Sequence, residues 1–177
     1  MILSIFPLIL IANIFLCLII SILTDIRNRI IPNRLVAIIL LCSIGLRLEF
    51  GYGPLLASIL SAGAVLAALS LLASNDLLGW GDAKLIAAVS IAVPAGRVIS
   101  LLFAITLAGG MLSCAYLAAR FALRHSAHLP FSTEPETGRR WVLWRLIRRE
   151  GARILANEPM PYALAVFGGF AYGLASE

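Results

Sequence analysis

The sequence predicts an all-α, polytopic membrane protein with about six transmembrane helices and an amphipathic helix on the cytoplasmic side. Three observations carry that prediction. Of 177 residues, 61% are hydrophobic and 13% charged, and the mean hydropathy is +0.99. Soluble domains are about 45–50% apolar, because polar side chains must cover their surface. The first 24 residues contain no charged side chain, and later runs approach the ~20 residues that cross a hydrocarbon core of ~30 Å. The 14 basic residues also fall unevenly among the loops.

The segments follow in order. The first covers residues 2–23; it lacks a preceding Lys or Arg and a following small-x-small pattern, so it reads as a retained helix rather than a cleaved leader. The second covers 31–48, its start marked by Pro32. The third, 55–72, opens after Pro54, where a missing amide costs nothing at a helix start. A short fourth, 83–93, stops at Pro94-Ala95-Gly96. The fifth is 98–119 and the sixth 161–174. Segments four and six are short for a full span. The whole chain, 1–177, is expected to form one membrane-embedded domain, with a basic loop at 120–160 inside it.

Charge sets the expected orientation. Loops 24–34, 75–84 and 120–160 together hold every basic residue except Arg47 and Arg97, so they are assigned to the cytoplasm by the positive-inside rule. Both termini then face the periplasm of a bacterial inner membrane. Within the long loop, 125–138 reads as a connector. Residues 139–155 place Trp144, Ile147, Gly151, Ile154 and Leu155 at helical spacing opposite Arg145, Arg148 and Arg149. This is an interfacial helix resting on anionic headgroups, either a plain anchor or a substrate-docking face.

Other candidate features carry little chemistry. Cys17, Cys42 and Cys114 are isolated in apolar runs, form no CxxC pair and read as small buried hydrophobes. His125 and His128 are too few for a metal site. Gly169-x-x-x-Gly173 suits close helix packing. No metal, cofactor or nucleic-acid partner is expected.

The chain has three aspartates, Asp25, Asp76 and Asp82. Asp25 lies at the cytoplasmic end of the first helix. Asp82 opens the fourth, within Gly79-Trp80-Gly81-Asp82-Ala83-Lys84-Leu85. Carboxylates at membrane depth are costly and usually face a polar cavity or a partner. Two at one depth on separate helices can converge, and such a pair can share one proton as a hydrolytic dyad. Spacing alone equally allows two interfacial acids near helix ends. Gly79 and Gly81 leave room for a neighbouring backbone or an extended peptide. Asp76, in Ser74-Asn75-Asp76, reads as a polar loop or cap.

Residues 24–33 (Thr-Asp-Ile-Arg-Asn-Arg-Ile-Ile-Pro-Asn), followed by residues 79–85, resemble the type IV prepilin peptidases. In that family an Asp at a helix end precedes a basic stretch and Ile-Pro-Asn, and a second Asp lies in GxGD followed by x-Lys-Leu. Pro161-Tyr162-Ala163-Leu164-Ala165, with Gly168-Gly169, is similar to the family's last helix. The resemblance implies Asp25 and Asp82 as the catalytic pair, with Gly79, Gly81, Lys84, Pro32 and Asn33 as motif or substrate-proximal residues. It implies a GxGD aspartic protease that removes basic leader peptides from prepilins or pseudopilins on the cytoplasmic side. Larger relatives carry a CxxC-containing cytoplasmic domain and also N-methylate their product. Without that insert, the chain resembles the short, peptidase-only type of tight-adherence (Flp-type) pilus systems. Readings from other classes are a small transporter or channel subunit and a non-catalytic assembly factor. The first predicts mid-membrane acids and an internal repeat. No repeat is present, and both acids lie near one edge.

Overall fold

A computed structural model describes residues 5–125 and 161–175. Those residues form six α-helices and no strand: α1 (Ile5–Asn28), α2 (Asn33–Leu48), α3 (Tyr52–Ser74), α4 (Trp80–Ala92), α5 (Val98–His125) and α6 (Ala163–Ala175), with a single 3₁₀ turn at Ala95–Arg97 before α5. All six expected segments are therefore helical. Three stretches are long and apolar enough to cross a membrane, Ile5–Asn28, Tyr52–Ser74 and Ala95–Phe121. Helices α2, α4 and α6 are shorter. The expected interfacial helix at 139–155 lies outside the described residues.

Contacts divide the chain into one unit of Met1–Gly109 with Pro161–Glu177 and another of Gly110–Met160. In the first unit, α4 is the central element. It packs against α3, α2 and α6, while α1 packs on α2 and α6. From Leu85 to Ala92 every residue of α4 is buried, the signature of a helix that is apolar all round. Small residues let the helices approach: Ser58, Ala62, Val65 and Ala73 are the buried positions along α3. Phe15 of α1 meets Phe167 and Phe170 of α6 at ring separations of 5.5 and 5.4 Å. Leu18, Ile39, Leu85, Val89, Ile105 and Phe170 fill the centre.

Gly169 seats α6 on α5. A Cβ there would collide with the Ile105 side chain and lie 2.7 Å from its backbone nitrogen. One turn on, a Cβ at Gly173 would sit 3.5 Å from Leu101. The expected close packing is seen at Gly169, whereas a Cβ at Gly173 would make an ordinary contact. Elsewhere the outward faces of α1, α3 and α5 expose large apolar side chains, among them Leu23, Leu60, Leu71 and Phe103, which suits lipid rather than water.

Two expectations change. Helix α1 continues past Leu23 to Asn28, so Asp25 lies inside its last turns. The polar run 24–28 looked loop-like, yet it stays helical until Arg29, whose φ of 55° and N–H bond to the Asp25 carbonyl, 2.9 Å, make a left-handed cap. The cysteines also differ: Cys17 is buried, but Cys42 is half-buried and Cys114 exposed. Apolar runs in a membrane chain have lipid-facing sides, so apolar sequence does not imply burial.

Arg47 lies near the end of the expected second segment, one of the two basic residues set apart from the cytoplasmic loops. It is buried within the last turn of α2. Its Nε donates to the Ile91 carbonyl at 3.2 Å and its Nη2 to the Ala92 carbonyl at 2.7 Å. These are orphan carbonyls at the C-terminus of α4, where a cation also complements the helix dipole. The Ser58 hydroxyl donates to Val93 at 3.3 Å, and the guanidinium lies 5.5 Å from the Phe50 ring centre. The central helix is thereby fixed at one end.

Candidate active site

The other end of α4 carries the acid. Gly79 is its N-cap, extended at φ −69° and ψ 137°, and its carbonyl accepts the Ala83 N–H at 3.1 Å. Asp82, in the first turn, folds its carboxylate back toward that cap. A Cβ on Gly79 would lie 2.9 Å from Asp82 Oδ2. Glycine at 79 therefore leaves the space the carboxylate occupies. Gly81 faces the loop between α1 and α2, where a Cβ would sit 3.4 Å from Ile31 Cβ.

Asp25 approaches from α1. Its side chain is buried, with 7% of its surface exposed, and Oδ2 accepts the backbone N–H of Ala163 at 3.2 Å across 138 residues of sequence. Ala163 is the first residue of α6, so its amide has no partner within that helix and is free to donate outward. The N-terminal end of α6 thus holds the carboxylate, as helix N-termini hold anions.

The Asp25 and Asp82 carboxylates lie within electrostatic reach of one another, and the Tyr162 phenol is within reach of Asp82. Tyr162 precedes α6 and packs on Gly109, where a Cβ would come within 3.0 Å of its ring. Three helix ends therefore meet: the C-terminal end of α1 and the N-terminal ends of α4 and α6. Two acids from separate elements, at one end of the bundle, can hold a shared proton and a water between them.

The remaining sequence candidates scatter around this centre. Pro32 caps α2 in an extended conformation, its carbonyl accepting Leu35 at 3.0 Å. Asn33 starts that helix and is exposed, so the structure brings this loop against Gly81 through Ile31 rather than through Pro32 or Asn33. Lys84 is exposed on α4. Asp76 stands apart, exposed in the turn after α3 with φ 57°. Among the described residues, no three or more His, Cys, Asp or Glu cluster as metal ligands would. Sequence reasoning assigned no task to Tyr162 or to the Ala163 amide. The Pro161-Tyr162-Ala163 run marked their neighbourhood, but a backbone donor leaves no mark in side-chain pattern.

A model of the type IV leader peptidase family matches residues 10–114, a stretch that includes Asp25, residues 31–33 and residues 79–84. No curated protein and no solved structure matches the chain.

Proposed function

The chain belongs to the type IV leader peptidase family, and we propose that it is an aspartic endopeptidase whose dyad is Asp25 and Asp82. The observation that carries this reading is the meeting of helix ends at this pair. The N-terminus of α6 holds the Asp25 carboxylate through the Ala163 N–H, and Asp82, in the first turn of α4, lies within its electrostatic reach. Like charges at close range cannot both ionise, so such a pair holds one proton. The ionised carboxylate takes a proton from water as that water attacks the scissile carbonyl carbon. The protonated one donates to the carbonyl oxygen, and on collapse of the tetrahedral species a proton passes to the leaving amine. The titration belongs to the pair, not to either residue.

The substrate is a prepilin or pseudopilin whose short basic leader is removed at the cytoplasmic face of the inner membrane. The charge distribution supports that orientation: six helices, both termini periplasmic, and the ends of α1, α4 and α6 facing the cytoplasm. The loops on that face are themselves basic, so they do not attract a basic leader, and recognition uses other contacts. Without a CxxC-bearing insert the chain cleaves without N-methylation, as in the short peptidases of tight-adherence pilus systems.

Co-expression with a panel of prepilins, scored by leader removal on gels, tests this reading. Asp25→Asn and Asp82→Asn each abolish processing, and Asp76→Asn retains it. Normal cleavage by Asp82→Asn would overturn the dyad. Processing by the purified protein is expected to persist in EDTA, and loss of activity there would contradict a metal-free mechanism.

A further inference from the structure

Lys84 follows Asp82 by two positions, about 200° around the helix axis, so it cannot share a face with the carboxylate pair. It lines a groove of about 310 Å³ between α2, α3 and α4. Leu40 supplies one wall, Ala62 and Gly63 another, and Ala87 and Ala88 the continuation along α4. Apart from Lys84, every lining residue is apolar. The wall is open at Gly63, where an added Cβ would meet nothing within 4 Å. Its rim residues Leu40 and Leu66 are each 37% exposed, so the slot opens at the surface. Along α4 it runs from Lys84 to Ile91, about 10 Å at the helical rise. Lys84 makes no hydrogen bond or ion pair with any described residue.

We propose that this groove binds an anionic phospholipid, one acyl chain in the slot and the phosphate headgroup on Lys84. The shape favours a single chain. A peptide helix, ~10–12 Å across, would gain less than two turns of contact along a slot of about 10 Å, whereas an acyl chain can lie along its whole length. The charge favours an anion: one cation stands at one end of an otherwise apolar slot, with no partner among the described residues to neutralise it. A lysine stem lies readily along apolar surface while its ammonium reaches the headgroup layer. A lipid held there would sit beside α4 one helix face away from Asp82. The inference does not depend on whether the dyad cleaves.

Native mass spectrometry of the purified full chain tests it, with equimolar phosphatidylglycerol and phosphatidylcholine of matched chains. One lysine near a headgroup supports a preference of about fivefold for the anionic lipid. Lys84→Gln is expected to bring the two adducts to parity, and Lys84→Arg to keep the preference. Gly63→Leu, whose Cβ meets nothing within 4 Å and whose side chain narrows the groove, is expected to reduce the phosphatidylglycerol adduct to the phosphatidylcholine level. Circular dichroism confirms that each variant retains its helices. A preference that survives Lys84→Gln, or an adduct unchanged in Gly63→Leu, overturns the proposal. So does a photoreactive side chain at position 63 that cross-links to a co-expressed prepilin instead of to lipid, because the groove would then hold a peptide.

Discussion

At its C-terminal end, α4 presents two carbonyls to a buried guanidinium and a third to a serine hydroxyl. At its N-terminal end, the same helix carries the Asp82 carboxylate, within electrostatic reach of the Asp25 carboxylate. The first end has matched partners, opposite in sign and within hydrogen-bond distance. The second sets like charges near each other at a meeting of three helix ends. A fold that satisfies polarity so closely at one end has the means to do so at the other. Local conflict of this kind marks function more often than accident. Arg47 and Asp82 are thus both costly residues in an apolar chain: Arg47 positions the helix, and Asp82 stands at the other tip, where the proposed dyad would act.

Substitutions can break that contrast in order of effect. The largest is expected at the acidic end. Asp25→Asn or Asp82→Asn removes the proton-transferring group and is expected to lower leader cleavage at least ~10³-fold, within the range of general acid–base contributions, while circular dichroism shows a folded protein. Next comes the basic end. Arg47→Leu leaves two buried carbonyls unmatched, and hydrogen bonds to charged groups contribute about 1.5–3 kcal/mol each. Denaturation in detergent is expected to show a loss of about 3 kcal/mol, and Arg47→Lys, able to reach fewer carbonyls, a smaller one. If Arg47→Leu were neutral for stability, the two ends would not differ as described.

Finer changes sharpen the distinction. Gly79→Ala forces Asp82 Oδ2 away from a Cβ that would sit at 2.9 Å. The carboxylate is the flexible end of a side chain, so stability is expected to hold. Activity is expected to fall about 10–100-fold, since small misplacements of a reacting group are expensive. Gly169→Ala acts in the opposite sense. It drives a methyl into the Ile105 backbone and is expected to destabilise by about 1–3 kcal/mol, with residual activity tracking the folded fraction. Parallel loss of stability and activity in Gly79→Ala would erase its link to the site.

The sequence revealed the helices in proportion to how far each depends on length and apolarity alone. Segments α1, α3 and α5 are long apolar runs, and their existence follows from the bilayer thickness. The start of α4 was visible in Gly79-Trp80-Gly81-Asp82, and α6 in its small-residue pattern. The end of α1 was not, because residues 24–28 are polar while their helical hydrogen bonds are local and independent of hydrophobicity. Arg47 was visible as a charge inside an apolar segment, but its partners are backbone carbonyls 44 and 45 residues away. Carbonyls occur at every position and so single out none. The same holds for the amide of Ala163 on Asp25. Side-chain motifs pointed to the acids, and the backbone groups that hold them required the fold.

The dyad is tested most directly with purified protein in lipid vesicles and a synthetic prepilin, with the product N-terminus read by mass spectrometry. The account predicts one cut at the end of the basic leader by the native chain, no cut by Asp25→Asn or Asp82→Asn, and no methyl group on the product. Cleavage by either asparagine variant at the native rate would contradict it.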